Sequence, residues 1–265
     1  MKLKKKTVLI TGGTSGIGLE LAKRLLERDN TVIVTGRDQG RLDATKRLLP
    51  RVHTFRSDVS DPAAIAALCA AVLAEFPALD VLVNNAGIMR NLNLDQPRDL
   101  TDVTREIEIN LSGPVRMVQQ LLPHLKTRSG ALIVNVSSGL AFIPLPISPV
   151  YCATKAALHS FTQSLRVQLE GTSVTVVELA PPGVETPLFR GEFEEEMRGQ
   201  KGMDVTVLGK HAIDGIEAGK LEIRPGLSNV LRTMSRLAPQ FMLRQLVKMS
   251  RPAGVGAKQL GPSTQ

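Results

Sequence analysis

Three side chains in this sequence could together perform acid–base chemistry. Ser138 supplies a hydroxyl, Tyr151, the sole tyrosine, supplies a phenol, and Lys155 supplies an amine. A helix would place Tyr151 and Lys155 on one face, one turn apart, because they are four residues apart among good helix formers. A phenol with its ordinary pKa of ~10 exchanges protons poorly at neutral pH. A neighbouring ammonium would lower that pKa, so the pair could act as a general acid/base.

Ser138 is predicted at the end of a strand, because it follows the apolar run Ala131–Val136. There its hydroxyl could bind a substrate carbonyl or alkoxide. The alternative for the tyrosine and lysine is a helix start with a packed phenol ring and a solvated amine. The short motif alone favours that alternative, so the elements around it must decide.

A glycine-rich segment near the amino terminus has the pattern of a phosphate-binding turn. The strand-like run Thr7–Thr11 leads into Gly12–Gly18, and a helix is predicted over Leu19–Asp29. The glycines permit a tight turn, and the helix N-terminus favours an anion. The spacing is G-x-x-x-G-x-G, not the common G-x-G-x-x-G. By itself the segment is equally compatible with a nucleotide site and with a simple strand-to-helix connection.

The end of the second predicted strand, Thr31–Thr35, bears on the choice of nucleotide. In dinucleotide folds an acid at this point binds the ribose 2′-hydroxyl, whereas an arginine accommodates a 2′-phosphate. Here Gly36 replaces the acid and Arg37 follows, which predicts a 2′-phosphorylated cofactor. A solvated loop arginine is the alternative, and Asp38 could still reach a ribose hydroxyl.

Strand and helix patterns alternate along the chain. This alternation predicts an α/β fold: a single-domain, doubly wound parallel sheet of the Rossmann type, with helices on both faces. The candidate motifs follow predicted strands, and ligands bind at the carboxyl ends of strands in such sheets. Asn110 lies on an apolar helical stretch, either as a satisfied core group or as part of a proton relay. The further predicted strands are His53–Arg56, Leu79–Val83, Ala131–Val136, Val174–Leu179 and Lys220–Ile223.

Together these motifs resemble the short-chain dehydrogenase/reductase family in its classical form. The resemblance covers roughly residues 6–186, and its motifs occur in the family's order. Two stretches, Pro149–Phe161 and Ala180–Phe189, are also similar to the DltE-type oxidoreductases of some bacterial D-alanylation operons. The family motifs are TGGTSGIG at Thr11–Gly18, NNAG at Asn84–Gly87, Ser138, and YCATK at Tyr151–Lys155.

The resemblance implies a role for each catalytic candidate. Tyr151 would donate a proton in reduction and accept one in oxidation, while Lys155 would lower its pKa and hold the nicotinamide ribose. Ser138 would orient the substrate carbonyl, and Asn110 would fix a water that links Lys155 to solvent. The implied reaction moves a hydride between a carbonyl carbon and NADP(H), with NAD possible. A cofactor-binding regulator or scaffold with little turnover is the alternative, but four intact catalytic candidates argue against it.

The resemblance also implies the residues that hold the cofactor. They fall into groups for the pyrophosphate, the adenosine, the ribose and cofactor path, and the nicotinamide, with Tyr151 and Lys155 shared with catalysis. They are Gly12, Thr14, Ser15, Gly16, Ile17 and Gly18; Arg37, Asp58 and Val59; Asn84, Ala86 and Gly87; and Pro182, Gly183, Val184 and Thr186.

Composition narrows the function classes. The chain has 265 residues, of which 43% are hydrophobic, which is ordinary for a globular protein. Its cysteine usage fits a reducing cytoplasm, which is the expected location. Its two cysteines give no disulfide framework, and its four histidines have no metal-ligand spacing, so no metal is expected. The net charge of +8 could indicate nucleic acid, but the chain is 3% aromatic without tryptophan, so no nucleic-acid partner is expected. A small-molecule carbonyl or alcohol is the expected partner, and the resemblance implies a homodimer or homotetramer.

Two segments, Gly139–Val150 and Pro187–Leu227, are predicted to supply specificity. Residues 187–227 form the expected substrate loop region, and the apolar residues near it favour a ketone with hydrocarbon bulk. Residues 228–265 form a basic extension, which Pro239 should divide into two helices. We favour a capping or subunit-contact role for it, with contact to an anionic membrane surface as the alternative. The apolar residues are Phe142, Ile143, Leu145, Leu188 and Phe189.

Overall fold

A seven-stranded parallel sheet organises the computed structural model, which describes residues 2–193 and 199–249. Its strand order is β3-β2-β1-β4-β5-β6-β7, so the predicted doubly wound α/β fold is confirmed. The chain changes direction across the sheet between β1 and β4, and such a switch point opens a crevice at the carboxyl ends of the strands. The strands are β1 (Thr7–Thr11), β2 (Thr31–Gly36), β3 (His53–Arg56), β4 (Leu79–Asn84), β5 (Ala131–Val136), β6 (Val174–Leu179) and β7 (Glu222–Ile223).

Helices connect successive strands and cover both faces of the sheet. A short π-helix, Glu108–Ser112, and a 3₁₀ turn, Gly139–Ala141, interrupt the pattern close to the predicted site residues. The helices are α1 (Gly16–Leu26), α2 (Gln39–Leu48), α3 (Pro62–Glu75), α4 (Leu100–Val103), α5 (Arg105–Ile107), α6 (Gly113–Lys126), α7 (Pro149–Gln168), α8 (Pro187–Arg190), α9 (Val205–Glu217), α10 (Leu227–Leu237) and α11 (Pro239–Met249).

The sheet is buried on both faces, because its strands carry apolar side chains at successive positions. In β1, Val8 and Ile10 pack into a core with α1 and α9, whereas Leu9 packs into a second core with α3, α6 and α7. The two cores hold the strand ends in fixed positions, and the loops at those ends carry the candidate site.

The carboxyl-terminal helices cover the site end of the sheet. Leu231 of α10 and Leu246 of α11 pack with Tyr151 and Leu145 in a third apolar cluster. As predicted, Pro239 separates the two helices, and α11 begins at that residue. This packing agrees with the capping interpretation of the extension, whose residues 250–265 lie outside the described part of the chain. None of the described helices is long and apolar enough to cross a membrane.

Candidate active site

A cavity of about 800 Å³ lies where the sheet ends beneath the carboxyl-terminal helices. It runs from Arg37, after β2, past Tyr151 to Leu246 of α11. Most of the predicted cofactor residues line it, but Gly18 and Asn84 are not part of its wall, and neither is the catalytic candidate Asn110. Those that line it are Gly12, Thr14, Ser15, Gly16, Ile17, Arg37, Asp58, Val59, Ala86, Gly87, Tyr151, Lys155, Pro182, Gly183, Val184 and Thr186.

The glycine-rich turn forms one wall of the cavity. Gly12 has φ +65°, and a Cβ there would lie 2.8 Å from the Ala86 Cα. Helix α1 begins at Gly16, so its unpaired backbone N–H groups lie at the turn. Such a cradle fits a dinucleotide pyrophosphate, because it brings backbone donors close to an anion without an intervening side chain.

Gly18 and Asn84 lie behind this wall. A Cβ at Gly18 would collide with the carbonyl oxygen of Gly12, so Gly18 serves the packing of the turn. Asn84 is the last residue of β4, and its buried Nδ2 donates to Asn135 Oδ1 at 2.9 Å. The Asn84 side chain is therefore bonded within the sheet, and the predicted position of Asn84 beside the adenosine ribose stays a prediction.

Asn85 fixes the turn from the neighbouring strand end. Its Nδ2 donates to the carbonyl oxygens of Thr11 and Gly12, each at 3.0 Å. Sequence reasoning quoted Asn85 in the NNAG motif without giving it a role. The signal that could have found it is strand alternation, because Asn84 still belongs to the paired strand and only Asn85 is beyond it.

The end of the cavity after β2, which the sequence predicts to hold the adenosine and which we call the adenosine end, carries two arginines. Arg37 and Arg41 both line it, and sequence reasoning had found Arg37 alone. Asp38 Oδ1 accepts the Arg41 backbone N–H at 2.9 Å and so caps α2. The cap commits the carboxylate to its own helix and sets Arg41 in the first turn. Recognition of Asp38 as a helix N-cap would have predicted the second arginine.

Asp58 lines the same end as a charged carboxylate. Burial alone would raise the pKa of Asp58, but hydrogen bonds from Ser60 and the nearby Arg37 and Arg105 hold it below its ordinary value. Its Oδ1 accepts the Ser60 backbone N–H at 2.9 Å and the Ser60 hydroxyl at 2.7 Å. The carboxylate is thus held in one orientation beside the cavity.

The structure brings Ser138, Tyr151 and Lys155 together at the middle of the cavity. Tyr151 and Lys155 lie on the first turns of α7, and Lys155 Nζ is 5.6 Å from the centroid of the Tyr151 ring. Lys155 Nζ donates to the Val136 carbonyl at 2.9 Å. Ser138 follows β5, its Oγ accepts the Leu140 backbone N–H at 3.1 Å, and its hydroxyl acts on Tyr151 in the direction that lowers the pKa of the phenol.

The pKa of Tyr151 differs in direction from the sequence prediction. Burial raises the pKa of this phenol well above its ordinary value, and the hydrogen bond with Ser138 offsets only part of the rise. Burial also lowers the pKa of Lys155 to about 8, so Lys155 is a weaker source of positive charge than expected. The phenol is therefore protonated at neutral pH, and Lys155 is the member of the pair that titrates.

Asn110 lies in the π-helix as a satisfied core group. Its Oδ1 accepts the Ile88 N–H and its Nδ2 donates to the Ile88 carbonyl, both at 2.9 Å. Nδ2 also donates to Thr154 Oγ1 at 3.2 Å. These contacts agree with the satisfied core group among the two alternatives derived from sequence, and the water relay between Asn110 and Lys155 stays a prediction. They fix the backbone after Gly87 against the residue before Lys155.

The segment after β6 closes the cavity on the side where the sequence predicts the nicotinamide. Thr186 caps α8, and its Oγ1 accepts the Phe189 N–H at 3.4 Å. A Cβ at Gly183 would lie 2.7 Å from the Phe189 ring, so only glycine lets the ring pack there. Val184 pairs with Met203 in an isolated bridge, which ties the segment to the chain before α9.

The substrate end of the cavity is apolar and is shared by several elements. The expected Leu145, Leu188 and Phe189 line it, whereas Phe142 and Ile143 do not. Leu227 lies in the predicted substrate region, whereas Leu231 and Leu246 were not predicted to line the site because residues 228–265 were assigned to a basic extension. The apolar residues at this end are Met89, Leu140, Leu145, Leu188, Phe189, Leu227, Leu231 and Leu246.

One buried acid near Tyr151 was not found from sequence. Glu106 is fully buried, and burial raises its pKa to about 7. Its Oε1 accepts the Arg90 N–H at 3.0 Å, and its charge acts on Tyr151. The charged residues beside it in sequence concealed its burial. In the part of the chain that the structure describes, no cluster of three histidine, cysteine or acidic residues could hold a metal ion.

Comparison with known proteins agrees with this geometry. The family model described as short chain dehydrogenase matches residues 6–197. The uncharacterized oxidoreductase DltE of Bacillus subtilis is 46% identical over 247 residues, which are 93% of this chain and 98% of the relative. This similarity confirms the resemblance to DltE-type oxidoreductases.

Two solved structures share the fold. A short chain dehydrogenase from Burkholderia cenocepacia in complex with NADP has a TM-score of 0.80 at 24% identity, covering 93% of this chain and 99% of the other. A short chain dehydrogenase/reductase from Burkholderia phymatum in complex with NAD has a TM-score of 0.80 at 23% identity, covering 97% and 99%. At these identities the likeness extends to the fold alone. On the family match and the DltE relative, the chain belongs to the short-chain dehydrogenase family of oxidoreductases.

Proposed function

We propose that this protein is an NADP(H)-dependent oxidoreductase that interconverts an apolar carbonyl compound and its secondary alcohol. The observation that carries the proposal is the position of the buried Tyr151 phenol. It lies between a glycine-walled end and an apolar end of one cavity, in contact with Ser138 and close to Lys155. This is where a carbonyl group would meet both a nicotinamide and a proton donor.

The catalytic residues can supply every proton that the reaction needs. NADP(H), when bound, supplies or accepts the hydride. In reduction, Ser138 Oγ hydrogen-bonds the substrate oxygen and the Tyr151 hydroxyl donates its proton to that oxygen. The raised pKa of Tyr151 keeps the donor loaded at neutral pH. The Lys155 ammonium then stabilises the phenolate, and in oxidation the same groups act in reverse.

The preference for NADP(H) rests on the adenosine end. Arg37 and Arg41 line the cavity there, and two guanidinium groups suit a phosphate better than a ribose hydroxyl. Asp38 could in principle reach a 2′-hydroxyl, but its carboxylate caps α2. Two arginines and one committed acid therefore favour a 2′-phosphorylated cofactor.

The substrate class rests on the opposite end. Leucines from the loop after β5, from α10 and from α11 converge beyond Tyr151. Burial of a hydrocarbon group among them stabilises a complex by about 25 cal/mol per Å² of apolar area removed from water. A carbonyl compound with an alkyl or aryl substituent is therefore a better match than a small polar sugar.

We extend the proposal to a homodimer or homotetramer in the cytoplasm. Leu100, Ile107 and Val115, in α4, α5 and α6, are exposed apolar residues, and an exposed apolar surface of sufficient area marks a protein contact. Light scattering on the purified protein, compared with a Leu100→Glu variant, tests the assembly. A wild-type monomer at micromolar concentration contradicts it.

A substrate panel tests the activity. Ketones and aldehydes of increasing apolar bulk are offered with NADPH and with NADH, and the loss of nicotinamide absorbance is followed. We expect turnover with NADPH, with kcat/KM rising as apolar bulk increases. Calorimetry measures cofactor binding in parallel. Tight NADPH binding without turnover of any panel member would favour the regulator or scaffold alternative.

A further inference from the structure

A buried carboxylate lies directly behind the catalytic serine. Glu178 is in β6, and 1% of its surface is exposed. A buried carboxylate is costly unless hydrogen bonds satisfy its oxygens, and both oxygens of Glu178 have a donor. Ser137 Oγ donates to Oε1 at 2.5 Å, and His159 Nδ1 is 2.7 Å from Oε2. Charge-assisted bonds of this kind are about twice as strong as neutral ones.

These two donors belong to the two elements that carry the catalytic groups. Ser137 immediately precedes Ser138 at the end of β5. His159 follows Tyr151 by two helical turns and Lys155 by one, so all three lie on one face of α7. Glu178 therefore bridges the strand end that presents Ser138 and the helix that presents Tyr151 and Lys155.

The turn that begins at Ser138 contacts His159 at its far end as well. The Phe142 ring packs edge-on against the His159 ring, with centroids 5.1 Å apart. Arg232 of α10 lies over the same Phe142 ring at 5.3 Å. His159 thus contacts Glu178, which holds Ser137 before the turn, and Phe142, which ends the turn.

The backbone hydrogen bonds on either side of Ser138 tie this segment to β6 and to the loop after it, not to α7. The Ser137 N–H donates to the Leu179 carbonyl at 2.8 Å, and the Gly139 N–H donates to the Pro181 carbonyl at 2.7 Å. Both partners belong to β6 or to the loop after it. The Lys155 bond to Val136, the bond from Asn135 Nδ2 to Thr162 Oγ1, the Glu178 bridge and the Phe142–His159 contact link this segment to α7.

We propose that Glu178 and His159 are positioning residues that set Ser138 relative to Tyr151 and Lys155. The inference rests on the proposed function, because it assigns them to the geometry of that reaction. A displacement of about 1 Å in a catalytic group can lower a rate by about 100-fold, so such a bridge has a measurable effect. Charged neighbours support the carboxylate: Arg166 of α7 and Arg224 after β7 act on Glu178.

Two variants of His159 separate positioning from simple stability. His159→Asn keeps an N–H donor close to the position of Nδ1, whereas His159→Leu removes it. We expect His159→Leu to lower kcat by about 10- to 100-fold with the NADPH Kd nearly unchanged, and His159→Asn to retain most of the wild-type kcat. Glu178→Gln has a single acceptor oxygen for two donors, so we expect an intermediate loss.

A spectroscopic readout makes the test independent of turnover. The chain has one tyrosine, so the ¹³Cζ resonance of labelled tyrosine reports Tyr151 alone. Ser138→Ala removes the hydroxyl that acts on Tyr151, so its ¹³Cζ chemical shift is the reference for a Tyr151 that has lost Ser138. We expect His159→Leu to move the resonance in the same direction, and His159→Asn to leave it near its wild-type position.

The outcomes are distinct. The positioning role is overturned if kcat falls by the same factor in His159→Asn and His159→Leu. It is also overturned if the melting temperature of His159→Leu falls while its Tyr151 resonance does not move. If the wild type turns over no carbonyl compound but the resonance follows the expected pattern, the proposed function fails and the bridge to Ser138 stands. An unmoved resonance with an active wild type overturns the inference alone.

Discussion

The two ends of the cavity are built by different means. The cofactor end consists mainly of backbone: the turn Gly12–Gly18 packs against the end of β4, and Asn85 holds it there. The substrate end consists of side chains, and Leu231 and Leu246 come from helices more than seventy residues after Tyr151. The first kind of wall depends on the shape of the main chain, and the second on how late elements pack over the sheet.

This difference predicts how each end tolerates substitution. A backbone wall fails when a single Cβ is added, because the main chain cannot move without disturbing the sheet. A side-chain wall changes in volume and selectivity while the fold persists. Tyr151 lies between the two ends, so a change there should affect the reaction without affecting either wall.

The largest effect is expected at Tyr151. Tyr151→Phe removes the proton donor while the ring continues to fill its buried position. We expect kcat to fall by about 100-fold or more, which is the usual contribution of a general acid, with the NADPH Kd changed less than about 2-fold. Steady-state kinetics and calorimetry measure the two quantities. A variant that keeps a tenth of the wild-type kcat removes Tyr151 from the acid/base role.

The next effect breaks the cofactor wall. Gly12→Ala places a Cβ 2.8 Å from the Ala86 Cα at φ +65°. We expect the NADPH Kd to rise by at least about 10-fold, since left-handed strain of about 1 kcal/mol is joined by a backbone clash. Gly130→Ala is the matched control, because Gly130 has φ +68° and nothing within 4 Å of its Cβ position. Equal losses of affinity in both variants would show that strain alone is responsible.

The extent to which sequence predicted each end follows from the same difference. Local sequence pattern was enough to predict the strands and the candidates Gly12, Gly16, Ser138, Tyr151 and Lys155, because each signal lies within a short segment of the chain. Leu231 and Leu246 were not accessible from local pattern, since their apolar stripe is interspersed with basic residues and its partner surface is distant in sequence. Local pattern also could not predict the raised pKa of Tyr151, because the rise follows from burial of the ring in a cluster that includes Leu231 and Leu246.

A smaller effect tests the choice of cofactor. Arg37→Ala removes one guanidinium from the adenosine end, and we expect the KM for NADPH to rise by about 10-fold while the KM for NADH changes little. A charge-assisted bond to a phosphate contributes about 1.5–3 kcal/mol, and the lower limit of that range corresponds to about 10-fold. Arg47→Ala, an exposed arginine on the same helix as Arg41, controls for net charge. Equal changes for both cofactors would contradict the assignment.

The substrate wall should respond more weakly. Leu231→Ala enlarges the apolar end of the cavity, and we expect kcat/KM for a bulky apolar carbonyl to fall by about 5-fold, at the lower limit of the ~1–3 kcal/mol that one methylene contributes in an apolar pocket. NADPH affinity should not change. Leu237→Ala is the matched control on the same helix, with 76% of Leu237 exposed. A parallel fall in both variants would place the effect in helix stability instead of the cavity.

The smallest effect concerns pH and joins the two ends at Lys155. Burial lowers the pKa of Lys155 to about 8, so its ammonium is present below that pH and is lost as pH rises through it. Because the ammonium stabilises the phenolate that forms when Tyr151 donates its proton, kcat/KM for carbonyl reduction should be level near pH 6–7 and about half of that value at pH 8. The parameter kcat/KM reports groups of the free enzyme, which is the state described here.

Lys155→Arg keeps a positive charge at all accessible pH values, so whatever activity it retains should lack the descending limb near pH 8. A wild-type profile that stays level to pH 9, or a limb that persists in the arginine variant, would assign the titration to another group. Glu106, whose pKa burial raises to about 7, would be the first to examine through Glu106→Gln.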